Sequence, residues 1–405
     1  MPGAVTRTDY SGQVQMKRAY KFRAYPTRSP EGRAARLLAG HCDLCNAALE
    51  ERREAWRRHS VSISYGSQSG QLRAIRAADP DGQGRHSFTA QQQTLRRLDV
   101  VFRAFYARTQ SGGAGYPRFK PYCRFHQVLF VAGDGARWEP TAGRWAYVRF
   151  RAVGSVKVRR HRPVMGTVKV LQLKREYRRW YVIVTADRQP APLSATGRKV
   201  GVDVGVARFL TTSAGDVVAN PRFLANAQGV IADLQRRQER AQRGSGNRKR
   251  IRRQLAREWR KVRRRRSDFH HKTARTLVSS FDVIALKQLN TQTMTHRPAP
   301  RLDGAGIWLP NGAAAKAGLN KVILDAGWAQ FMTILVGKAE EAGRRVVFVN
   351  PARTSTDCYQ CGARCQRPRQ NLVVCPQHGG MDSDINAARN IATRAGLGSG
   401  HASVA

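Results

Sequence analysis

The stretch KVGVDVGVARFLTTS, residues 199–213, decides the fold. It sets one carboxylate, Asp203, in a run of valine and glycine that reads as a buried strand, with a second strand following Gly205. A charge there is costly unless it meets a cation, and the apolar flanks give it no turn context. Downstream, residues 281–286 (FDVIAL) and 345–349 (RVVFV) read as further buried strands. A helix over 320–342 carries Trp328, Phe331, Leu335 and Ala339 on one face. The segment DSDINAARN, 382–390, opens a last helix. Strands alternating with helices predict an α/β domain. Capping accounts for one of Asp382 and Asp384. The other chemistry open to this set is Asp203 and Asp384 converging on Mg²⁺, as in phosphodiester-cleaving sites.

The N-terminal half differs. Residues 1–15 read as a leader without regular structure, and 16–23 as a strand ended by Pro26. Helices are expected over 30–59, with Pro30 as an N1 proline, and around 67–78 and 88–110, the last with Leu95, Leu98, Val101, Phe102 and Phe105 on one face. Short segments at 128–132, 145–151, 155–159, 165–173 and 179–186, separated by turn residues, predict a small β-barrel. Residues 190–194 read as a linker. Residues 223–279 read as a helical hairpin broken at Gly244-Ser-Gly246, and 292–316 as a mobile loop or lid.

Charge narrows the function. The 405 residues hold 72 Lys+Arg against 27 Asp+Glu, a formal net charge of +45. The excess runs along most of the chain, and such a surface repels itself unless a polyanion neutralises it, so nucleic acid is the expected partner. No run of about 18 apolar residues predicts a membrane span. No signal-peptide core follows Arg7 and Asp9, and the seven cysteines suit a reducing compartment, so a cytoplasmic, nucleoid-associated location is expected.

Cys358-Tyr-Gln-Cys361 and Cys375-Pro-Gln-His378 are two ligand pairs spaced to wrap one tetrahedral, structural Zn²⁺, with Cys365 a spare that could replace His378. Cys42 and Cys45, with Cys123 and His126, have similar nominal spacing, but the first two fall in a helical pattern and read as buried thiols. Two clusters suit nucleic acid. Arg159, Arg160, Arg162, Lys174, Arg175, Arg178 and Arg179 stand with Tyr177 and Trp180, a mix of phosphate contacts and stacking faces; a charged, guarded strand edge is the plainer reading. Arg248, Lys249, Arg250, Arg252, Arg253, Arg260, Lys261, Arg263 and Arg264 form an Arg-rich helical stretch suited to lie along a heteroduplex.

The order of these motifs is that of a family. GVDVG, a later strand followed by Leu289-Asn290, the segment 351–362 (PARTSTDCYQCG), Cys375-Pro376 and finally DSDINAARNI resemble the transposon-encoded TnpB proteins, relatives of the miniature type V CRISPR effectors. The likeness spans about 16–392, and Gly115-Tyr-Pro-Arg-Phe-Lys120 matches a further family stretch. The resemblance implies an RNase H-like (RuvC) α/β domain, an N-terminal wedge-type β-barrel with a helical insertion, and a zinc knuckle. The implied division is a leader at 1–15, the barrel at 16–48 and 114–192, a helical recognition insertion at 49–113, the RuvC domain at 193–350 and 381–395, the knuckle at 351–380 and a tail at 396–405. It also implies a guide RNA, double-stranded target DNA found by guide pairing, and cleavage by three acids. Asp203 and Asp384 match the first and third. Where relatives read E-x-L-N, this chain reads Ala285-Leu-Lys-Gln-Leu-Asn290, with Lys287 in the glutamate's place, and Asn350-Pro-Ala-Arg-Thr-Ser355 offers no substitute. An ammonium for a carboxylate reverses the local charge, worth roughly 4 kcal/mol per contact at about 4 Å. The expected function is guide-directed DNA binding with little or no cleavage, Mg²⁺ mattering only if nuclease activity survives. Two rivals stand. One is an active RNA-guided endonuclease with an acid recruited from Asp282, Asp325, Glu340, Glu341 or Asp357; the other is a guide-independent nucleic-acid-binding accessory protein. Guide, target, oligomeric state and any effector protein are not encoded legibly.

Overall fold

The computed structural model describes residues 7–8, 14–110 and 115–398. The chain divides into two compact units between Gln189 and Pro190, where the linker was expected.

In the N-terminal unit, β1 (Arg7–Thr8) pairs with the start of β2 (Val14–Tyr25). The expected leader, where described, is therefore partly strand. Helices α1 (Arg28–His59), α2 (Tyr65–Ala78) and α3 (Phe88–Thr109) come next. They are followed by β3 (Gln127–Ala132), β4 (Gly135–Pro140), β5 (Trp145–Phe150), β6 (Gly154–Arg159), β7 (Thr167–Glu176) and β8 (Arg179–Arg188). The order β2-β6-β5-β4-β3-β7-β8 closes through β2–β8 pairing into a seven-stranded barrel. Its core, including Phe22, Phe130, Phe150 and Leu171, continues into Leu37 and Leu38 of α1 and Leu95 of α3. Two expectations shift. Helix α1 starts two residues early, putting Pro30 at its third position, still within the first turn where a missing N–H costs nothing. It also runs unbroken through residue 48, so the expected barrel–insertion boundary falls inside a helix.

In the C-terminal unit, β9 (Lys199–Val204), β10 (Arg208–Thr212) and β11 (Val217–Ala219) form an antiparallel meander. The hairpin of α4 (Phe223–Arg240) and α5 (Gly246–Ser280) leads to β12 (Val283–Lys287). Residues 292–316, expected as a loop, hold the end of α6 (Thr291–Met294), a two-residue ladder of β13 (Arg301–Leu302) with β14 (Trp308–Leu309), and the start of α7 (Ala313–Ala326). The single helix expected over 320–342 is two: Gly327, at φ 68°, ends α7 and starts α8 (Trp328–Glu341). The segment Ala313–Glu341 has the length and composition of a membrane span. The Gly327 break, and the burial of Trp328, Phe331 and Leu335 in the domain core, mark it as packed helix.

Strand β15 (Arg345–Val349) lies parallel to β12, which lies parallel to β9. The sheet order β11-β10-β9-β12-β15, three antiparallel strands and then two parallel ones, is the RNase H-like (RuvC) arrangement. The knuckle strands β16 (Gln366–Arg369), β17 (Leu372–Cys375) and β18 (Gly379–Asp382) lead into α9 (Ser383–Arg394). Helix α9 crosses β9 at Gly201, where an added Cβ would lie 2.1 Å from the Ala388 carbonyl oxygen and 2.6 Å from the Ala392 nitrogen. Only glycine permits that approach. Gly201→Val is expected to cost on the order of 3 kcal/mol or more through overpacking against backbone. A thermal melt unchanged from the parent would refute the contact.

Candidate functional site: a carboxylate pair met by lysine

Asp203 sits next to the end of β9, opposite Thr211 of β10. Leu286 pairs with Val202, so Lys287, the last residue of β12, comes level with Asp203 on the neighbouring strand. Both residues are buried, at 8% exposure each. The Lys287 ammonium lies 2.8 Å from Asp203 Oδ1 and donates to Ser355 Oγ at 3.0 Å. The contact with Oδ1 lies off the hydrogen-bond direction, so it is an ion pair more than an aligned bond. Burial drives the Asp203 carboxyl above the usual range; Lys287 pulls it down, and the nearby Asp384 charge pushes it up again.

Helix α9 delivers Asp384. Asp382 caps that helix, accepting from the N–H groups of Asp384 and Ile385, so the capping role falls on Asp382 and leaves Asp384 in the first turn. A second cation stands here: Arg208 is 2.8 Å from Asp382 Oδ2 and 3.7 Å from Asp384 Oδ2. Against burial, the Ile385 N–H and Arg208 hold Asp382 below the ordinary carboxylate range.

Three of the five acids that could relocate, Asp282, Asp325 and Asp357, are engaged elsewhere. Asp282 accepts from the Thr196 and Gly197 N–H groups and pairs with Arg344 at 2.6 Å. Asp325 holds the Leu224 N–H at the start of α4 and pairs with Arg266 at 2.6 Å. Asp357 faces Arg394 at 3.6 Å, and Glu340 is raised by burial on α8. The resulting set, three carboxylates of which Asp382 is taken up in capping α9, with one ammonium and one guanidinium against them, does not fit a pair of Mg²⁺ ions, which need anionic oxygens where Lys287 places positive charge. Sequence alone pointed to Asp203, Asp384 and Lys287; Arg208 and Ser355 gave no signal, because their roles depend on strand pairing and on the loop after β15.

Cys358, Cys361, Cys375 and His378 bring their ligand atoms within 4.8 Å of one another, and they form the one such cluster among the described residues. The separations are 3.7 Å for Cys358–His378 and 3.6 Å for both Cys361–Cys375 and Cys375–His378. A tetrahedral zinc with Zn–S of about 2.3 Å and Zn–N of about 2.0 Å sets its ligands roughly 3.5–3.8 Å apart, so the cluster is compatible with zinc. Burial opposes ionisation of Cys375, but the Gln377 amide and His378 bring its pKa to about 6, whereas burial pushes Cys365 up to about 11. Cys42 and Cys45 lie buried on α1.

The basic clusters sort by environment. Trp180 is only 3% exposed and donates to Glu31 Oε1 at 3.1 Å, so its ring is barrel core and not a stacking face. Lys174 pairs with Glu176, Arg160 holds the Gly143 carbonyl, and Arg162 lies over Tyr20. Tyr177, at φ 64°, is exposed in the β7–β8 turn with Arg178 and Arg179, and Arg159 is exposed at the end of β6. Arg248 bonds the carbonyls of Gln238 and Ala241, closing the α4–α5 hairpin. Beyond it, Ile251 and Val262 face the hairpin core, while Lys249, Arg250, Arg252, Arg253, Lys261, Arg263 and Arg264 are exposed and Arg260 half-buried.

Lys287→Met should destabilise the fold by about 3–5 kcal/mol, since it strands a buried carboxylate. Adding Asp203→Asn should restore most of it. Because Lys287 holds the Asp203 carboxyl down against burial, its loss raises that carboxyl further above the unfolded value, so the loss of stability shrinks as pH falls from neutral toward 4 and Asp203 becomes neutral in the variant. Denaturant melts at both pH values check this; additive losses in the double variant would refute the pairing.

Comparison with known proteins agrees with this architecture. The family model OrfB_IS605, described as "Probable transposase", matches residues 182–297, and the Cas12f1-like TNB domain model matches 328–391. A Streptomyces pristinaespiralis protein, provisionally named an RNA-guided DNA endonuclease, is 27% identical over 93% of this chain and 89% of its own length. InsQ of Escherichia coli (strain K12), provisionally named likewise, is 29% identical over 96% of this chain and 94% of its own. Among solved structures, Cas12f1 in its complex with sgRNA and target DNA shares the fold, with a TM-score of 0.57 at 13% identity over 93% of this chain and 98% of that one. Fold, motif order and these likenesses support the TnpB family for this chain.

Proposed function

We propose that the protein is an RNA-guided, double-stranded-DNA-binding member of its family whose RuvC-type centre does not cut, so that it acts by occupying its target, as a repressor does. The observation that carries this reading is the buried Lys287 ammonium 2.8 Å from Asp203. Two-metal phosphodiester cleavage needs anionic oxygens to hold both ions, and an ammonium in their midst opposes that. Guide RNA and target DNA are the partners suggested by the names of the relatives and by the +45 charge. On α5, Lys249, Arg253, Arg257, Arg260 and Arg264 share the face opposite Ile251 and Val262, roughly one cation per turn of about 5.4 Å. Such a rail suits a backbone recognised by charge and A-form shape. The exposed Arg159, Tyr177, Arg178 and Arg179 offer a smaller RNA-contacting surface on the barrel. An active endonuclease is the second reading, favoured by the names of the two relatives that match nearly the whole chain.

Purified protein should carry a discrete RNA, bind a duplex matching that RNA's guide, and leave the duplex uncut in Mg²⁺. Lys287→Glu should gain Mg²⁺-dependent cleavage. Cutting by the parent that Asp203→Ala abolishes would overturn the inactive reading; absence of a discrete RNA would overturn guidance.

The Cys358, Cys361, Cys375 and His378 cluster is assigned to one structural zinc. Metal analysis should return about one zinc per chain, with Cys361→Ser or a chelator removing it and lowering the melting temperature. Full zinc content in Cys361→Ser would refute this ligand set.

A further inference from the structure

The end of α1 and the Gly115–Lys120 stretch build a cleft of 740 Å³ that the RuvC-type centre does not account for. Its walls are Arg53, Trp56 and Arg57 from α1 and Tyr116, Arg118 and Phe119 from the loop. Two aromatic rings face solvent here: Trp56 is 58% exposed and Phe119 42%. In a chain with so much polar side chain to spare, holding two rings in water beside three exposed arginines is a feature in need of a ligand.

The loop and the helix end that carry these rings are anchored. Tyr116 is gripped edge-on by Phe102 and Phe105, with centroids 5.7 and 5.3 Å away. Four residues on, the Lys120 N–H donates to Asn46 Oδ1 at 3.0 Å, and its carbonyl accepts from Asn46 Nδ2 at 2.9 Å. The loop is thus pinned at both ends to the helices, with Arg118 and Phe119 between the pins. On the other wall, α1 ends at Ser60 in the left-handed region, φ 53°, its N–H turned back to the Trp56 carbonyl. That terminus fixes the last turn carrying Trp56 and Arg57. Pre-ordering of this kind lowers the entropy cost of binding.

We propose that this cleft binds an unpaired nucleotide segment, stacking a base on Trp56 and Phe119 while Arg53, Arg57 and Arg118 contact the flanking phosphates. Planar apolar faces ringed by guanidinium groups complement a ligand that is both aromatic and anionic. A base offers both faces for stacking only when unpaired, so the ligand is single-stranded and not duplex. Because every base has a π-face and no side-chain carboxylate or amide lines these walls, recognition is tolerant of sequence. The inference rests on the nucleic-acid reading of this protein but not on guidance or on loss of cleavage.

The test is binding of the full chain, freed of co-purified RNA, to a labelled homopolymer single strand and to a blunt duplex across a salt series. Trp56→Ala and Phe119→Ala should each weaken single-strand binding about 5- to 150-fold, the range for one lost stack, without changing the salt slope. Trp56→Phe should retain most of the affinity. Arg53→Ala, Arg57→Ala and Arg118→Ala should each flatten the single-strand salt slope by about 0.7. Duplex affinity should be unchanged in the aromatic variants. Unchanged single-strand affinity in Trp56→Ala, equal losses on single strand and duplex, or competition by an acidic aromatic peptide but not by the homopolymer would each overturn the proposal. Unaltered melting temperatures keep these readings clear of misfolding, since both rings are exposed. The guide reading fails separately, by absence of a discrete bound RNA, and leaves this measurement standing.

Discussion

The packing of α9 onto β9 at Gly201 is the constraint from which the C-terminal unit is organised. Backbone meets where a side chain would otherwise stand, so the last helix of the domain is locked across its first strand, although nearly two hundred residues separate them in sequence. That contact carries Asp384 to the end of the sheet where Asp203 emerges. It also anchors the knuckle, because α9 holds the loop before the ligand cluster through Asn386 and Asn390, whose amides donate to the Asp357 carbonyl, and through Arg389, which bonds the Tyr359 hydroxyl. The zinc-type cluster and the carboxylate pair are therefore joined through one helix.

Within that assembly, charge balance takes an unusual course. An RNase H-like sheet gathers acids where its first strand meets the last helix, and gathered acids repel unless cations intervene. Here the intervening cations are covalently part of the chain. Lys287 reaches Asp203 from the neighbouring strand, steadied by Ser355, and Arg208 serves Asp382 and Asp384 from the adjacent hairpin. The contacts are 2.8 Å for Lys287 with Asp203 and for Arg208 with Asp382, and 3.7 Å for Arg208 with Asp384. A buried pair of this kind contributes little net stability but is costly to break on one side only, which couples the two residues strongly to one another.

Outside the site, the basic surplus is distributed with discrimination. Several cations that look alike in sequence fasten the structure: Arg248 closes the α4–α5 hairpin, Arg266 holds Asp325, and Arg344 holds Asp282 and the Val278 carbonyl. Those on the outer face of α5 are turned toward solvent as a rail, and those beside Trp56 and Phe119 frame a cleft. The first group is structure and the others are exposed surface.

Sequence by itself determined the domain class, the strand bearing Asp203, the helical hairpin and the ligand spacing of the knuckle, because each is written in local pattern: valine runs, glycine breaks, cysteine spacing and motif order. It also located the barrel, though it missed β4, whose Gly135 and Pro140 read as punctuation, and it merged α7 with α8, since a glycine within an apolar helical run does not announce that it will adopt φ 68°. Only the tertiary structure decided that Lys287 touches Asp203, that Arg208 attends Asp384, that Trp180 is core while Trp56 is not, and that Asp382 is the capping member of its pair. These depend on which strands lie side by side and which helix crosses them. Such distances are set by packing between segments far apart in the chain, and no local pattern encodes them.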